Sequence, residues 1–347
     1  MTSRLSYNLA ARWLAAFLAM ACILLSLGMS HALGADPQAE IETALSGVDE
    51  RTWEQVATNE GARDTRYDSN YSLINASGET WRQIRNRWVS TFGVIAIVGM
   101  ALMILGFYLY FGSKKLEAPR TGRRLLRWTV FERTLHWSTA TTFILLALTG
   151  LNLMYGKFVF KPLFGDGFWA PMIAGTKLLH NYLGPLFGIL LIIILAKWLK
   201  VNLPRAHDLE WFKKGGGLIG KGHVDAGFAN AGEKAWYWLL ASAGLLVIIS
   251  GLVLDFPIFG QTRDGMQWAN VIHAVGALGL TAVALGHIYI GTVGTEGSLE
   301  AMTTGYVDET WAKEHHNLWY DEVKEHTTLP EHVDKGSFDE AASHRPN

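Results

Sequence analysis

The chain has 347 residues, 50% of them hydrophobic and only 18% charged, with 14 tryptophans and a formal net charge of −1. Charge falls below the usual quarter and several apolar runs reach membrane length, which excludes an ordinary soluble globule and predicts an all-α, polytopic membrane helical bundle with polar extensions. A balanced charge gives no electrostatic reason to bind nucleic acid. The single cysteine, Cys22, excludes an internal disulfide, a cysteine-ligated iron–sulfur cluster and a CxxCH attachment site, so a redox group in this chain has to be held by histidine.

Residues 1–35 carry Arg4 and Arg12, an apolar run from Trp13 to Met29, and small residues around Ala32 and Ala35. That is the pattern of a secretory signal peptide cleaved near Ala32–Ala35, with an uncleaved anchor helix as the competing reading. Residues 36–89 hold ten acidic residues against six arginines and no lysine. They read as a small extracytoplasmic (periplasmic) arm that packs against a partner, or as a linker with no fold of its own.

Residues 90–112 form an additional transmembrane helix, charge-free from Ser90 to Phe111. The loop at 113–133 is strongly basic, with Lys114, Lys115, Arg120, Arg123, Arg124 and Arg127, and the positive-inside rule makes it cytoplasmic. An export signal places the preceding arm outside, so the two cues agree on orientation. Residues 134–293 then supply a four-helix core, with helices expected at Thr134–Tyr155, Lys177–Lys200, Ala235–Leu254 and Trp268–Ile290. A polar, glycine-rich loop spans 204–234. The tail, 294–347, is hydrophilic, cytoplasmic, and helical near Ser298–Glu314.

The last core helix contains His273 and His287, fourteen residues apart. At about 3.6 residues per turn they share a face, separated by about 20 Å along the axis. Ionisable residues inside a membrane helix mark function by default. Two other histidines lie in membrane helices: His136 at the cytoplasmic start of the second helix and His180 at the outer start of the third. Depth alone pairs His180 with His273 and His136 with His287. Two imidazoles per level suit bis-histidine haem, which leaves no open coordination site and transfers electrons instead of activating oxygen. Gly150, Gly184, Gly188, Gly276 and Gly279 suit a porphyrin plane lying against a helix, and equally suit close helix packing. His207 and His223 lie in the cytoplasmic loop. His315 and His316 form a solvated or partner-contacting pair in the tail. Arg127 and Arg133 are candidates for pairing with the propionates of the inner haem.

Several motifs resemble the cytochrome b (gamma) subunit of membrane-bound respiratory formate dehydrogenases. They are FERTLHW with a following LTG, LLHNYLGPLFG, the NAGEK block at Asn230–Lys234, VIHAVGALGL…ALGHIYI, and GSLEAMTTGYVDETWAKEHHNLWY. The resemblance covers roughly residues 125–325; the arm and additional helix lie outside it. It implies two haem b groups, the outer on His180 and His273 and the inner on His136 and His287. It also implies a quinone pocket of Asn230, Gly232 and His287, accepting menaquinone or ubiquinone. The partners implied are an iron–sulfur beta subunit and a molybdenum or tungsten catalytic alpha subunit, in a heterotrimer that forms higher-order assemblies in the bacterial inner membrane. On this reading the chain reduces quinone and does not oxidise formate itself. Rival readings are the cytochrome b subunit of a nickel–iron hydrogenase or thiosulfate reductase, a haem-free proton-relay transporter, and an assembly scaffold.

Overall fold

The structure, a computed structural model, describes residues 78–217 and 224–326. The signal peptide, Cys22, most of the arm and the end of the tail lie outside the described residues. Among those described, five helices are long and apolar enough to cross a membrane: α1 (Gly78–Phe111), α2 (Val130–Phe164), α3 (Asp166–Trp198), α5 (Ala231–Asp255) and α6 (Arg263–Gly294). A short helix, α4 (Ala206–Lys213), joins α3 to α5. The bundle expected from the hydropathy pattern is the fold observed.

The helices run past the apolar stretches that announce them. α2 begins with a capping box: the Glu132 amide donates to Thr129 Oγ1 at 3.3 Å, and the Thr129 amide donates to Glu132 Oε2 at 3.0 Å. These bonds satisfy amides that the first helical turn leaves unpaired. Its other end is the single linker Gly165, whose φ of 76° is left-handed backbone that a side chain would strain. With one residue between them, α2 and α3 fold back antiparallel. α1 likewise extends upstream through a π-helical stretch, Ile84–Val89, so residues 78–89 are helical where composition placed them in the arm.

Packing follows small residues. Ile248 of α5 lies against Gly188 of α3, Val247 of α5 lies against Gly276 of α6, and Leu278 of α6 lies against Gly93 of α1. Glycine lets backbones approach closely where water supplies no driving force.

At the end of the bundle that holds His136, the basic loop and the tail form a packed cap. Strand β1 (Arg124–Leu126) pairs antiparallel with β2 (Tyr306–Asp308), in register Arg124 with Asp308 and Leu126 with Tyr306. Helices α7 (Ser298–Thr303), α8 (Glu309–His315) and α9 (Asn317–Val323) complete it. A strand, Tyr306–Asp308, therefore interrupts the helix expected over Ser298–Glu314, and the tail is helical on both sides of it. The cap core is Leu125, Ala301, Val307, Trp311, Ala312 and Trp319. Each buried tryptophan removes about 150–250 Å² from water, worth roughly 4–6 kcal/mol at ~25 cal/mol per Å². Arg133 Nη1 donates to the Thr303 carbonyl at 2.7 Å, and Trp137 Nε1 donates to the Met302 carbonyl at 2.8 Å, so the cap is riveted to the first turns of α2.

Two side chains in the cap correct expectations from the sequence. His316, expected to be solvated or at a partner surface, is 1% exposed, and its Nδ1–H donates to the Gly227 carbonyl at 2.7 Å. The tail folds back on residues 224–230, and that closure encloses it. Burial, helped by the neighbouring Arg127 guanidinium, pushes its imidazole well below the ordinary value. Arg127 itself is 2% exposed. It lies over the rings of Trp128, Phe228, Trp311 and Trp319, and donates to the Phe228 carbonyl at 2.9 Å and Glu233 at 3.3 Å. Four aromatic faces and a carboxylate compensate the desolvated charge.

Candidate haem-binding site

The four membrane histidines stand at two levels. His136 on α2 faces His287 on α6 with ring centres 6.3 Å apart, beside the cap. His180 on α3 faces His273 on α6 with ring centres 6.0 Å apart, toward the far end. Among the described residues, no group of three or more His, Cys, Asp or Glu gathers to hold a metal ion. The donors available are therefore imidazoles in facing pairs.

The far pair is held by its surroundings. His180 Nδ1 lies 2.8 Å from Thr149 Oγ1, and that hydroxyl is 2.7 Å from the Leu145 carbonyl. A carbonyl only accepts, so the hydroxyl proton goes to Leu145 and the imidazole donates its Nδ1–H to Thr149. His273 Nδ1 lies 2.9 Å from the Val247 carbonyl, again an acceptor only, with Ser250 Oγ at 3.5 Å. Both rings are thus Nδ1–H tautomers, and both Nε2 atoms keep a lone pair. Each ring also rests on a glycine. A Cβ added at Gly150 would meet His180 Cε1 at 3.4 Å, and one added at Gly251 would meet His273 Cε1 at 2.9 Å.

The pair beside the cap is held differently. His136 Nδ1 is buried and has no hydrogen-bond partner among the described residues. His287 lies flat on Trp236 of α5, with ring centres 5.1 Å apart and planes 14° apart. α5 carries a π-helical turn, Leu240–Gly244, between Trp236 and Ser250. The wider turn rephases the helix between its contacts with the two levels, a common use of such turns at functional sites.

Asn230 is the N-cap of α5. Its Oδ1 accepts the Glu233 amide at 2.9 Å, and Glu233 Oε2 accepts the Asn230 amide at 2.9 Å. A Cβ at Gly232 would meet the Trp211 ring of α4 at 2.8 Å, so the glycine admits that indole. α4 is held to α5 by Lys234 Nζ, which donates to both Asp208 oxygens at 2.8 and 2.9 Å.

Depth in the sequence paired the four histidines as the structure brings them together, but gave no hint of what holds them. The available signal was a hydroxyl–glycine dipeptide, Thr149–Gly150 on the helix preceding His180 and Ser250–Gly251 on the helix preceding His273.

A bundle of membrane-length helices with imidazoles facing in pairs across it is the architecture of a membrane cytochrome b. The family described as prokaryotic cytochrome b561 matches residues 127–305, and the chain belongs to it. The chain is 31% identical over 210 residues to the cytochrome b556(fdo) subunit of formate dehydrogenase from Escherichia coli K12, covering 58% of this chain and 95% of that protein. It is 28% identical over 211 residues to the cytochrome b556(Fdn) subunit of the nitrate-inducible formate dehydrogenase of the same strain, covering 58% and 93%. A formate dehydrogenase cytochrome b556 subunit of Haemophilus influenzae is 27% identical over 212 residues, covering 57% and 83%. This is a multi-pass membrane cytochrome b whose family carries haem b.

Proposed function

We propose that the chain is the two-haem membrane subunit of a formate dehydrogenase, carrying electrons from an extracytoplasmic iron–sulfur subunit to quinone at the cytoplasmic side. The observation that carries this is the spacing of the two imidazole pairs. A metal–imidazole bond is about 2.0–2.1 Å and the ring centre lies roughly one ångström behind the nitrogen, so rings on opposite sides of one metal have centres about 6.3 Å apart. The observed 6.3 and 6.0 Å fit one iron at each level. The Nδ1–H tautomers of His180 and His273 leave Nε2 for the metal, which is the usual partition of an imidazole ligand.

His180 and His273 would hold the outer haem, His136 and His287 the inner. Held by two imidazoles at each level, the haem would supply reversible one-electron transfer and not oxygen activation. The protein's part is to fix the rings and set the distance between levels, about 20 Å at ~1.5 Å rise per residue over fourteen residues. Arg133, whose Nε is buried with no partner among the described residues, suits a propionate of the inner haem. Arg127 is committed to its aromatic cage.

Quinone would bind beside His287. Asn230 uses Oδ1 on the helix cap, so its Nδ2 amide is the group that donates to a quinone carbonyl. Gly232, by admitting Trp211, brings α4 to the pocket's edge. Reduction to quinol takes two electrons and two protons from the cytoplasm. The partner's oxidation of formate to carbon dioxide releases two electrons and one proton outside. With the basic loop at 113–133 facing the cytoplasm and the arm facing the periplasm of the inner membrane, charge crosses the membrane at each turnover.

Formate dehydrogenase relatives favour this complex over a hydrogenase or thiosulfate reductase, and co-purification of the catalytic subunit decides between them. The test within the chain is His273→Ala. It is expected to lose one of two haems and keep the inner one, read by pyridine haemochrome per correctly inserted chain. Retention of both haems contradicts the assignment.

A further inference from the structure

The structure contains one unit twice. On α2 the run is the Leu146 carbonyl, the Thr149 hydroxyl and Gly150; on α5 it is the Val247 carbonyl, the Ser250 hydroxyl and Gly251. In each, the carbonyl lies four residues before the glycine and the hydroxyl one residue before it. The imidazole of the following helix comes down on the glycine with Nδ1 facing carbonyl and hydroxyl. For His180 the acceptor is Thr149 Oγ1 at 2.8 Å, and the Leu146 carbonyl lies 3.1 Å from that hydroxyl. For His273 the acceptors are the Val247 carbonyl at 2.9 Å and Ser250 Oγ at 3.5 Å. Each hydroxyl proton is engaged within its own helix: Thr149 Oγ1 lies 2.7 Å from the Leu145 carbonyl, and Ser250 Oγ lies 2.6 Å from the Leu246 carbonyl. The hydroxyls therefore face the rings as acceptors.

The other level has no such unit. His136 Nδ1 is buried without a partner among the described residues, and His287 is backed by the face of Trp236. The asymmetry has an electronic consequence. An imidazole that donates Nδ1–H to a fixed acceptor is a more basic ligand through Nε2. A more basic ligand stabilises the more highly charged, oxidised iron, and hydrogen bonding around the ligands is one of the levers that sets haem potential.

We propose that the repeated carbonyl–hydroxyl–glycine seats on α2 and α5 hold the His180/His273 site at a lower reduction potential than the His136/His287 site, with Thr149 as the principal positioning side chain. This rests on the two-haem reading given above. The ordering makes electron flow from the far level to the cap level downhill. The gradient is written into second-contact hydrogen bonds, since all four ligands are the same residue type.

The test is equilibrium redox poising of the purified membrane protein, with haem content measured on the same samples. The wild type is expected to show two potentials, the lower one absent from His273→Ala. Thr149→Val keeps the shape and removes the acceptor, and is expected to raise only the lower potential. One hydrogen bond of ordinary net strength corresponds to an equilibrium shift on the order of tenfold, about 59 mV for one electron. Thr149→Ser restores an acceptor and should return the wild-type value. Should Thr149→Val lose the outer haem, Ser250→Ala reads the same effect from the other ligand as a smaller upward shift. Unchanged potentials in a variant that retains both haems overturn the proposal and leave the ligand assignment standing. Fewer than two haems in the wild type, or both retained in His273→Ala, would instead overturn the ligand assignment.

Discussion

Gly150 and Gly251 show how much a single methyl group decides. Gly150 lies under the His180 imidazole and Gly251 under that of His273, but their clearances differ. A Cβ at Gly150 reaches ordinary van der Waals contact with His180, at 3.4 Å, whereas one at Gly251 comes within 2.9 Å of His273 Cε1 and 3.1 Å of Nδ1. Overpacking a tight site costs about 1–3 kcal/mol or displaces the side chain. On the proposed two-haem reading, Gly251→Ala is therefore expected to push His273 off its seat and lose the haem of that level, while Gly150→Ala keeps both. Absorbance at equal protein concentration reads both, and equal retention would contradict the contact. The histidines were legible in the sequence because an ionisable residue in an apolar run is conspicuous and depth is a one-dimensional quantity. The seats were not, because Thr149 and Ser250 read as ordinary back-bonded hydroxyls until a ring from another helix is placed against them.

Helices and strands show the same division. Apolar runs locate the hydrocarbon slab, so the number of spans was readable from hydropathy. Helix ends depend on local capping instead. Thr129–Glu132 is a capping box legible in the sequence, yet it lies five residues before the expected start of the second helix at Thr134. The cap was the hardest element to foresee: β1 and β2 pair residues about 180 positions apart, and neither strand has a period long enough to announce itself. Its burial of His316 gives it a pH dependence. The unfolded imidazole titrates near 6.5, and the folded one is held well below that by burial first and by Arg127 next. As pH falls through about 6.5 the unfolded cap binds the proton first, so cap stability is full above that pH. Below it, about 1.4 kcal/mol is lost per pH unit. Hydrogen exchange of residues 306–323, corrected for intrinsic chemistry, is expected to accelerate from pH 7 to 5. The acceleration should vanish in His316→Gln, and protection independent of pH in the native chain would contradict it.

Taken whole, the molecule is a membrane bundle with a folded plug at one end. α2 and α3 form one antiparallel hairpin and α5 and α6 another. Each contributes one hydroxyl–glycine unit and one histidine to the far level, while His136 and His287 meet beside the cap. α1 packs against α6 and brings no ligand of its own. The cap ties the first turns of α2 to the end of α6, so the geometry beside His136 depends on residues from both ends of the family-matched region. Arg85 of α1 donates to Asn270 of α6 at 3.1 Å, anchoring the additional span one turn from His273. Length, hydropathy and four histidines carry the fold and the levels; the energetics of each level reside in contacts between helices.

All of this depends on iron being held at both levels. The most direct measurement is the ratio of haem b to chain in the purified, correctly inserted protein from haem-replete cells, by pyridine haemochrome against quantitative amino-acid analysis. Two haems per chain is the predicted value. One haem per chain would contradict the two-level assignment, and a colourless preparation would contradict the whole reading.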